Sequence, residues 1–242
     1  MTHLDLFSGI GGFALACEWA GIETIGFCEM DPFCQKVLKK HWPNVRIIGD
    51  IKDVKEDTFQ RPIDIITGGF PCQPFSVAGK QRGKEDDRFL WPTMCNVIKE
   101  YKPTWVIGEN VAGIINMALE QVLSDLENIG YETQSLVIPA CAIGGGHRRD
   151  RVWVVAYNSC QRFKWETTTK QENDAARNGL SVDIYAENHW RMEWPKIASQ
   201  ICRMDDGLPR KLDSHRLKAL GNAIVPQVAF QIISAIKVME LV

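Results

Sequence analysis

No two of the eight cysteines, at positions 17, 28, 34, 72, 95, 141, 160 and 202, stand in Cys-x-x-Cys spacing. That pattern argues against a zinc site and against a dithiol redox motif. No metal is expected, and in a reducing compartment most of these thiols serve as small buried hydrophobes. No unbroken apolar run approaches the ~20 residues that span a bilayer, so no membrane is expected. Met1-Thr2-His3 leads straight into a strand-like segment, without the basic start and apolar stretch of a secretory leader. A cytoplasmic location is the expectation. No internal repeat is evident, and neither sign of charge prevails, with 28 basic against 30 acidic residues and a net charge of −2. Global charge therefore announces no nucleic-acid partner. Basic residues gather only locally, at Lys80-Gln81-Arg82, at His147-Arg148-Arg149-Asp150-Arg151 and from Arg210-Lys211 to Lys218. Such runs are commonly solvated faces.

What is present is a chain of 242 residues, enough for one packed domain and a small second lobe. Its first two-thirds alternates strand and helix signals. Leu4–Phe7, Thr24–Cys28, Ile63–Thr67 and Trp105–Gly108 read as strands. Phe13–Ala20, Pro32–His41, Pro92–Tyr101 and Met117–Ile129 read as helices, with Pro32 and Pro92 suited to a first turn. This order implies a parallel sheet covered by helices on both faces. Tyr131–Ile138 and Val152–Tyr157 read as a closing strand pair. Residues 158–207 are polar with scattered aromatics, among them Phe163, Trp165, Tyr185, Trp190 and Trp194, and read as a small lobe or long insertion. Val225–Val242 reads as an apolar helix returning to the main domain.

Asp5-Leu6-Phe7-Ser8-Gly9-Ile10-Gly11-Gly12 sets glycines between a strand and a helix. There the backbone passes close to a ligand and a helix N-terminus faces it. Glu29 closes the second strand, where an acid can accept ribose hydroxyls. Gly9, Gly11 and Ala14 also fit a loose dinucleotide pattern, so nicotinamide binding, S-adenosylmethionine binding and a tight structural turn all stay open on these residues.

Gly68-Gly69-Phe70-Pro71-Cys72-Gln73-Pro74-Phe75-Ser76 sets a cysteine between two prolines just beyond a strand end. Open α/β sheets hold ligands at that edge, and the prolines stiffen the backbone around the thiol. The bland alternative, a buried cysteine in a rigid turn, conflicts with the surface position usual for such loops. Gly108-Glu109-Asn110-Val111 brings a carboxylate to the end of the next strand, although a lone Glu there is often a cap or an ion-pair partner. Arg149 and Arg151 precede an apolar strand, where alternate residues point to one side.

On these residues the chain closely resembles the DNA (cytosine-5) methyltransferase family, with the motifs in the family's order. Asp5–Gly12 resembles its first motif, and Glu29-Met30 and Gly49-Asp50-Ile51 resemble the next cofactor motifs. Pro71-Cys72-Gln73 resembles the nucleophile motif, Glu109-Asn110-Val111 the acidic motif and Arg149/Arg151 the arginine motif. Residues Arg216 to Pro226 resemble the two closing motifs.

The resemblance implies an α/β, Rossmann-like, S-adenosylmethionine-dependent methyltransferase with a mostly parallel sheet and a small recognition lobe. The catalytic domain would comprise residues 1–157 and 213–242, and the target-recognition lobe residues 158–212. S-adenosylmethionine would be the methyl donor, leaving S-adenosylhomocysteine. Phe7, Gly9, Ile10 and Gly11 would approach its methionine part, Glu29 its ribose and Met30 its adenine. Asp50 would bond the exocyclic amine, Asn222 would close the pocket, and Ile51, Pro71 and Ala223 complete the expected cofactor contacts.

Cytosine C5 is a poor nucleophile until a thiolate adds at C6, and Cys72 would supply that thiolate. Arg149 and Arg151 would favour the thiolate form, Glu109 would serve N3 of the ring and Arg151 its O2. The base must leave the duplex to be reached. Gln73–Arg88 resembles the family's mobile loop, with Gln73 and Ser76 flanking the extruded nucleotide and Lys80, Arg82 and Arg88 meeting phosphates. The implied partner is double-stranded DNA, with a cognate restriction endonuclease a candidate second partner and a monomer the expected state.

Two features depart from the family pattern. His147 stands where Gln is frequent, and the recognition region is short. Arg162, Lys164, Arg177, Asn178, Arg191 and Lys196 are its candidate DNA contacts, and a short or loosely defined target site follows. Two rival readings are an RNA cytosine-5 methyltransferase, whose additional Cys-Phe-Thr signature is absent, and an idle DNA- or cofactor-binding remnant. Intact Cys72, Glu109 and Arg151 speak against the remnant.

Overall fold

The computed structural model describes residues 1–71, 89–143, 149–158 and 218–241. Seven strands form one sheet: β1 (Thr2–Leu6), β2 (Glu23–Cys28), β3 (Arg46–Ile48), β4 (Ile65–Gly68), β5 (Trp105–Val111), β6 (Tyr131–Pro139) and β7 (Asp150–Asn158). Their spatial order is β3-β2-β1-β4-β5-β7-β6. The first five are parallel, and β7 runs antiparallel to both β5 and β6. The parallel sheet expected from the alternating pattern is present, as is the closing strand pair.

β1 and β4 are buried at every position, as strands covered on both faces must be. On one face lie α1 (Gly12–Trp19) and the closing helix, here α6 (Pro226–Leu241). Phe13, Ala16 and Cys17 of α1 pack with Val228, Ala229, Ile233 and Ile236 of α6 over Ile65, Ile107 and Trp153. On the other face, α3 (Trp91–Tyr101) and α5 (Leu119–Asn128) bury Met94, Val97, Ile98, Val122 and Leu126 against Leu4, Leu6, Ile66 and Val106. Each fully buried aliphatic side chain contributes roughly 1.5–3 kcal/mol. Between α3 and α5 the chain makes a short helix, α4 (Ile114–Met117), which breaks from α5 at Ala118. The helix expected over 117–129 is present as α5, and α4 is an additional turn ahead of it.

α2 (Pro32–His41) starts as its sequence dictates: the Asp31 carboxylate accepts the Phe33 N–H at 2.8 Å, and Pro32 occupies the first turn. Lys39, Lys40 and His41 fill its last turn, the favourable end for cations.

No unbroken apolar run of spanning length occurs in the closing stretch, which Gln227, Gln231 and Lys237 interrupt, yet its average composition is apolar. Lys218–Glu240 is long and apolar enough, by composition alone, to cross a bilayer. Its buried residues instead complete the core on the α1 face.

Candidate active site

The C-terminal ends of β3, β2, β1 and β4 lie side by side, and the loops that follow them carry the site. At about 4.8 Å between neighbouring strands, this edge runs roughly 14 Å from β3 to β4. After β1, Phe7 adopts a left-handed backbone (φ 53°), as do Gly9 and Gly11. For a bulky residue such as Phe7 that conformation is strained, and such strain gathers at functional sites. Gly11 caps α1 at φ 85°, and a Cβ there would sit 2.5 Å from the Trp42 ring. Only glycine satisfies both conditions.

Glu29, just past β2, binds the glycine turn directly. One carboxylate oxygen accepts the Gly9 N–H at 2.7 Å and the other accepts the Asp31 N–H at 2.7 Å. Each oxygen keeps a free lone pair for a further donor. Met30 beside it is 66% exposed, an uncovered apolar surface at the same edge. Asp50, just past β3, accepts the Lys52 N–H at 2.9 Å. The Ile51 side chain is buried in the core. Ile10 is half-buried, and Pro71 is the last described residue of the loop after β4.

Glu109 and Arg151 meet at 2.9 Å through Nε, at the ends of β5 and β7. Glu109 pairs in register with Trp153, and Arg151 lies two residues earlier on the same face of β7, so the ion pair is diagonal. Glu109 is buried, and desolvation raises its pKa while Arg151 and Arg149 pull it down. A Cβ at Gly69 would lie 3.5 Å from the second Glu109 oxygen, so the loop after β4 passes beside the carboxyl group.

Asn110 ties that loop down. Its Nδ2 donates to the Phe70 carbonyl at 2.9 Å, while its side-chain oxygen accepts the Val111 N–H. In sequence, Asn110 belongs to the acidic motif without a role of its own. Its signal was position alone, one residue past the carboxylate at a strand end.

Arg149 does not point with Arg151. β7 begins at Asp150, and Arg149 has φ 38°, which breaks the strand alternation expected of the two arginines. One terminal nitrogen of Arg149 donates to the carbonyls of both Gly221 and Ala223, each at 2.8 Å. These residues flank Asn222, which is exposed at the end of the helical turn 218–222. The next residue, Ile224, packs where a Gly12 Cβ would be, 2.6 Å from its Cγ1. An apolar side chain thus covers the start of α1, where dinucleotide folds seat a pyrophosphate.

Beneath the glycine turn runs a polar chain that sequence reasoning missed. The Thr67 hydroxyl donates to Asp5 at 2.9 Å, His3 Nε2 lies 2.8 Å from that hydroxyl, and His3 Nδ1 lies 2.9 Å from Thr24 Oγ1. Asp5, His3 and Thr67 are completely buried. Desolvation lowers His3 to about 3 and raises Asp5 to about 8. With His3 neutral, Nε2–H donates to Thr67 and Thr24 donates to Nδ1.

Cys72, Gln73, Ser76, Lys80, Arg82 and Arg88 lie outside the described residues, as do His147 and residues 159–212 of the expected recognition lobe, whose first residue, Asn158, closes β7.

Fold and site together define a Rossmann-like α/β protein with its polar chemistry gathered on the C-terminal edge of the sheet. Residues 1–205 match the family model for C-5 cytosine-specific DNA methylase. The Type II methyltransferase M.NgoMIV of Neisseria gonorrhoeae is 32% identical over 83% of this chain and 66% of its own length. M.Eco47II of Escherichia coli, also a Type II methyltransferase, is 30% identical over 84% of this chain and 52% of its own. The solved S. pombe Dnmt2 methyltransferase has a TM-score of 0.57 at 21% identity, over 72% of this chain and 58% of that one, a likeness of fold alone. The chain belongs to the C-5 cytosine-specific DNA methylase family, and its fold is the Rossmann-like methyltransferase fold. It spans about half to two-thirds of the length of these curated relatives.

Proposed function

We propose that this chain transfers a methyl group from S-adenosylmethionine to C5 of cytosine in double-stranded DNA, with Cys72 as covalent nucleophile. The observation that carries the reading is the buried Glu109–Arg151 pair beside the loop that leads into Cys72. A carboxyl group whose proton affinity is raised, held against a guanidinium, suits a ring edge that presents the acceptors N3 and O2 together.

The cofactor edge fits the donor. Glu29 has lone pairs free for ribose hydroxyls, Met30 offers an apolar surface for adenine, and Asp50 can accept from an exocyclic amine. Phe7 to Gly11 would border the amino-acid end, and Asn222 and Ala223 would close the pocket. The apolar cover of Ile224 on Gly12 disfavours a pyrophosphate, and with it a nicotinamide dinucleotide. Bound there, S-adenosylmethionine supplies an electrophilic methyl group.

The residues of the chain act on the base. The Cys72 thiolate forms a bond to C6, and the displaced electron pair makes C5 nucleophilic. Glu109, protonated, donates to N3 as charge builds on the ring, and Arg151 donates to O2. C5 takes the methyl group as its bond to sulfur breaks, leaving S-adenosylhomocysteine; the C5 proton then passes to water, N3 gives its proton back to Glu109, the S–C6 bond breaks and the thiolate returns. One methyl group is gained and one proton released. The base must first leave the stack, at a cost of a few kcal/mol. Gln73–Arg88 would close over it and exclude water.

Residues 158–212 serve as a compact target-recognition lobe, reading a short or loosely defined site. The enzyme works in the cytoplasm as a monomer, with a cognate restriction endonuclease as candidate companion. Covalent trapping tests the reading. Incubated with S-adenosylmethionine and duplex DNA containing 5-fluorocytosine, the chain yields an adduct that survives denaturation. No adduct from folded, cofactor-binding protein would overturn the Cys72 mechanism.

A further inference from the structure

The closing segment 218–224 is held at three points. Lys218 lies 3.6 Å from Asp31, the N-cap of α2. Ile224 packs on Gly12 at the start of α1. Between them, Arg149 donates to the carbonyls of Gly221 and Ala223. The three attachments belong to α2, to α1 and to the start of β7, so the segment bridges the cofactor edge from the β2 side to the catalytic side. Asp31 also donates its N–H to Glu29, which places the first attachment one residue from the Glu29-Met30 surface.

We infer that Arg149 is a positioning residue for the cofactor pocket, a clamp that fixes Asn222 over the glycine turn, and that it does not act on the base. The inference rests on the methyltransferase reading and adds a division of labour between two arginines one residue apart. Three observations carry it. The left-handed backbone at Arg149 turns its side chain out of the alternation that leaves Arg151 on Glu109. The carbonyls it binds terminate a helical turn, where backbone acceptors lack partners of their own and a cation is favoured. Finally, both bonds come from a terminal guanidinium nitrogen, one covalent bond farther from Cα than a lysine ammonium, so a lysine on its shorter, flexible stem falls short of holding both carbonyls.

The test uses the full chain and the variants Arg149→Lys and Arg151→Lys. S-adenosylhomocysteine is titrated by calorimetry, hydrogen exchange is followed at residues 218–224, and steady-state methylation of unmethylated plasmid DNA is measured. For Arg149→Lys, affinity for S-adenosylhomocysteine should fall about tenfold, with KM for S-adenosylmethionine rising in step. Its kcat should change less than about threefold. Exchange should quicken at 218–224 while β1 and β4 amides stay protected, which separates a loosened clamp from a misfolded chain. Arg151→Lys should do the reverse, losing kcat and keeping affinity. Arg149→Lys protein that binds S-adenosylhomocysteine like the parent, or loses kcat at unchanged KM, would overturn the clamp alone. A parent chain that binds no S-adenosylhomocysteine would overturn both the clamp and the methyltransferase reading.

Discussion

Glu109 and Arg151 sit diagonally across the β5–β7 ladder, 2.9 Å apart, because an antiparallel strand has been placed beside the last parallel one. A parallel neighbour would bring its own C-terminal end to this edge. The antiparallel β7 instead brings its start, and with it the arginines that precede the apolar run.

This pair predicts the first outcome. Glu109→Gln keeps the shape but cannot lend a proton, and kcat should fall by about 10²- to 10⁴-fold. Burial raises the Glu109 pKa against the pull of Arg151 and Arg149. The protonated form is the useful one, so the parent activity should decline as pH rises through that raised pKa. The variant should lack this limb in a kcat–pH profile.

Asn110→Ala removes the donor to the Phe70 carbonyl and the acceptor for the Val111 N–H. Leaving the buried Phe70 carbonyl unpaired costs about 1–3 kcal/mol. Urea unfolding should show that loss, and trapping on 5-fluorocytosine DNA should slow, because the loop into Cys72 loses its tether.

The buried chain from Thr24 to Asp5 sets a pH signature on stability. His3 falls from 6.5 to about 3 on folding, so its contribution is complete above pH 6.5 and lost as pH falls toward 3. Asp5 rises from 3.8 to about 8, so its contribution is complete below 3.8 and lost as pH rises through 8. Between 6.5 and 8 only Asp5 of this pair titrates, and unfolding free energy should decline across that window. Asp5→Asn should flatten the decline, as measured by urea midpoints.

Gly11→Ala combines a left-handed backbone with a Cβ 2.5 Å from Trp42. The backbone conformation alone costs roughly 1–2 kcal/mol for an L-residue. The variant should unfold at lower temperature and bind S-adenosylhomocysteine more weakly.

Much of this arrangement was legible in the sequence, for reasons that can be stated residue by residue. β1, β2, β4 and β5 announced themselves as apolar runs ending in glycine or acid, and Pro32 marked the start of α2. The apolar run carries β1 through Phe7 in sequence, whereas the left-handed backbone there ends the strand at Leu6. β3 has no sequence signature, because three residues make no pattern. The insertion of β7 between β5 and β6 does not follow from the chain order. The cue was there: Val152–Ala156 is apolar throughout, as an interior strand is, while Tyr131–Ser135 is mostly polar after its first residue, as an edge strand can be. In the site, Glu29, Glu109 and Arg151 were readable because acids and cations at strand ends carry chemistry. Asp5, Thr67 and His3 were not, since alternation along a buried strand looks the same whether its polar members meet one another or not. Arg149 and Arg151 looked equivalent in sequence, and a single backbone torsion separates them.

The most direct measurement of the central claim is methylation mapping of DNA from cells that express this chain, beside a Cys72→Ala control. The account predicts 5-methylcytosine in a short or loosely defined context that disappears in the control. Methylation that persists in the control, or none at all from folded protein that binds S-adenosylmethionine, would contradict it.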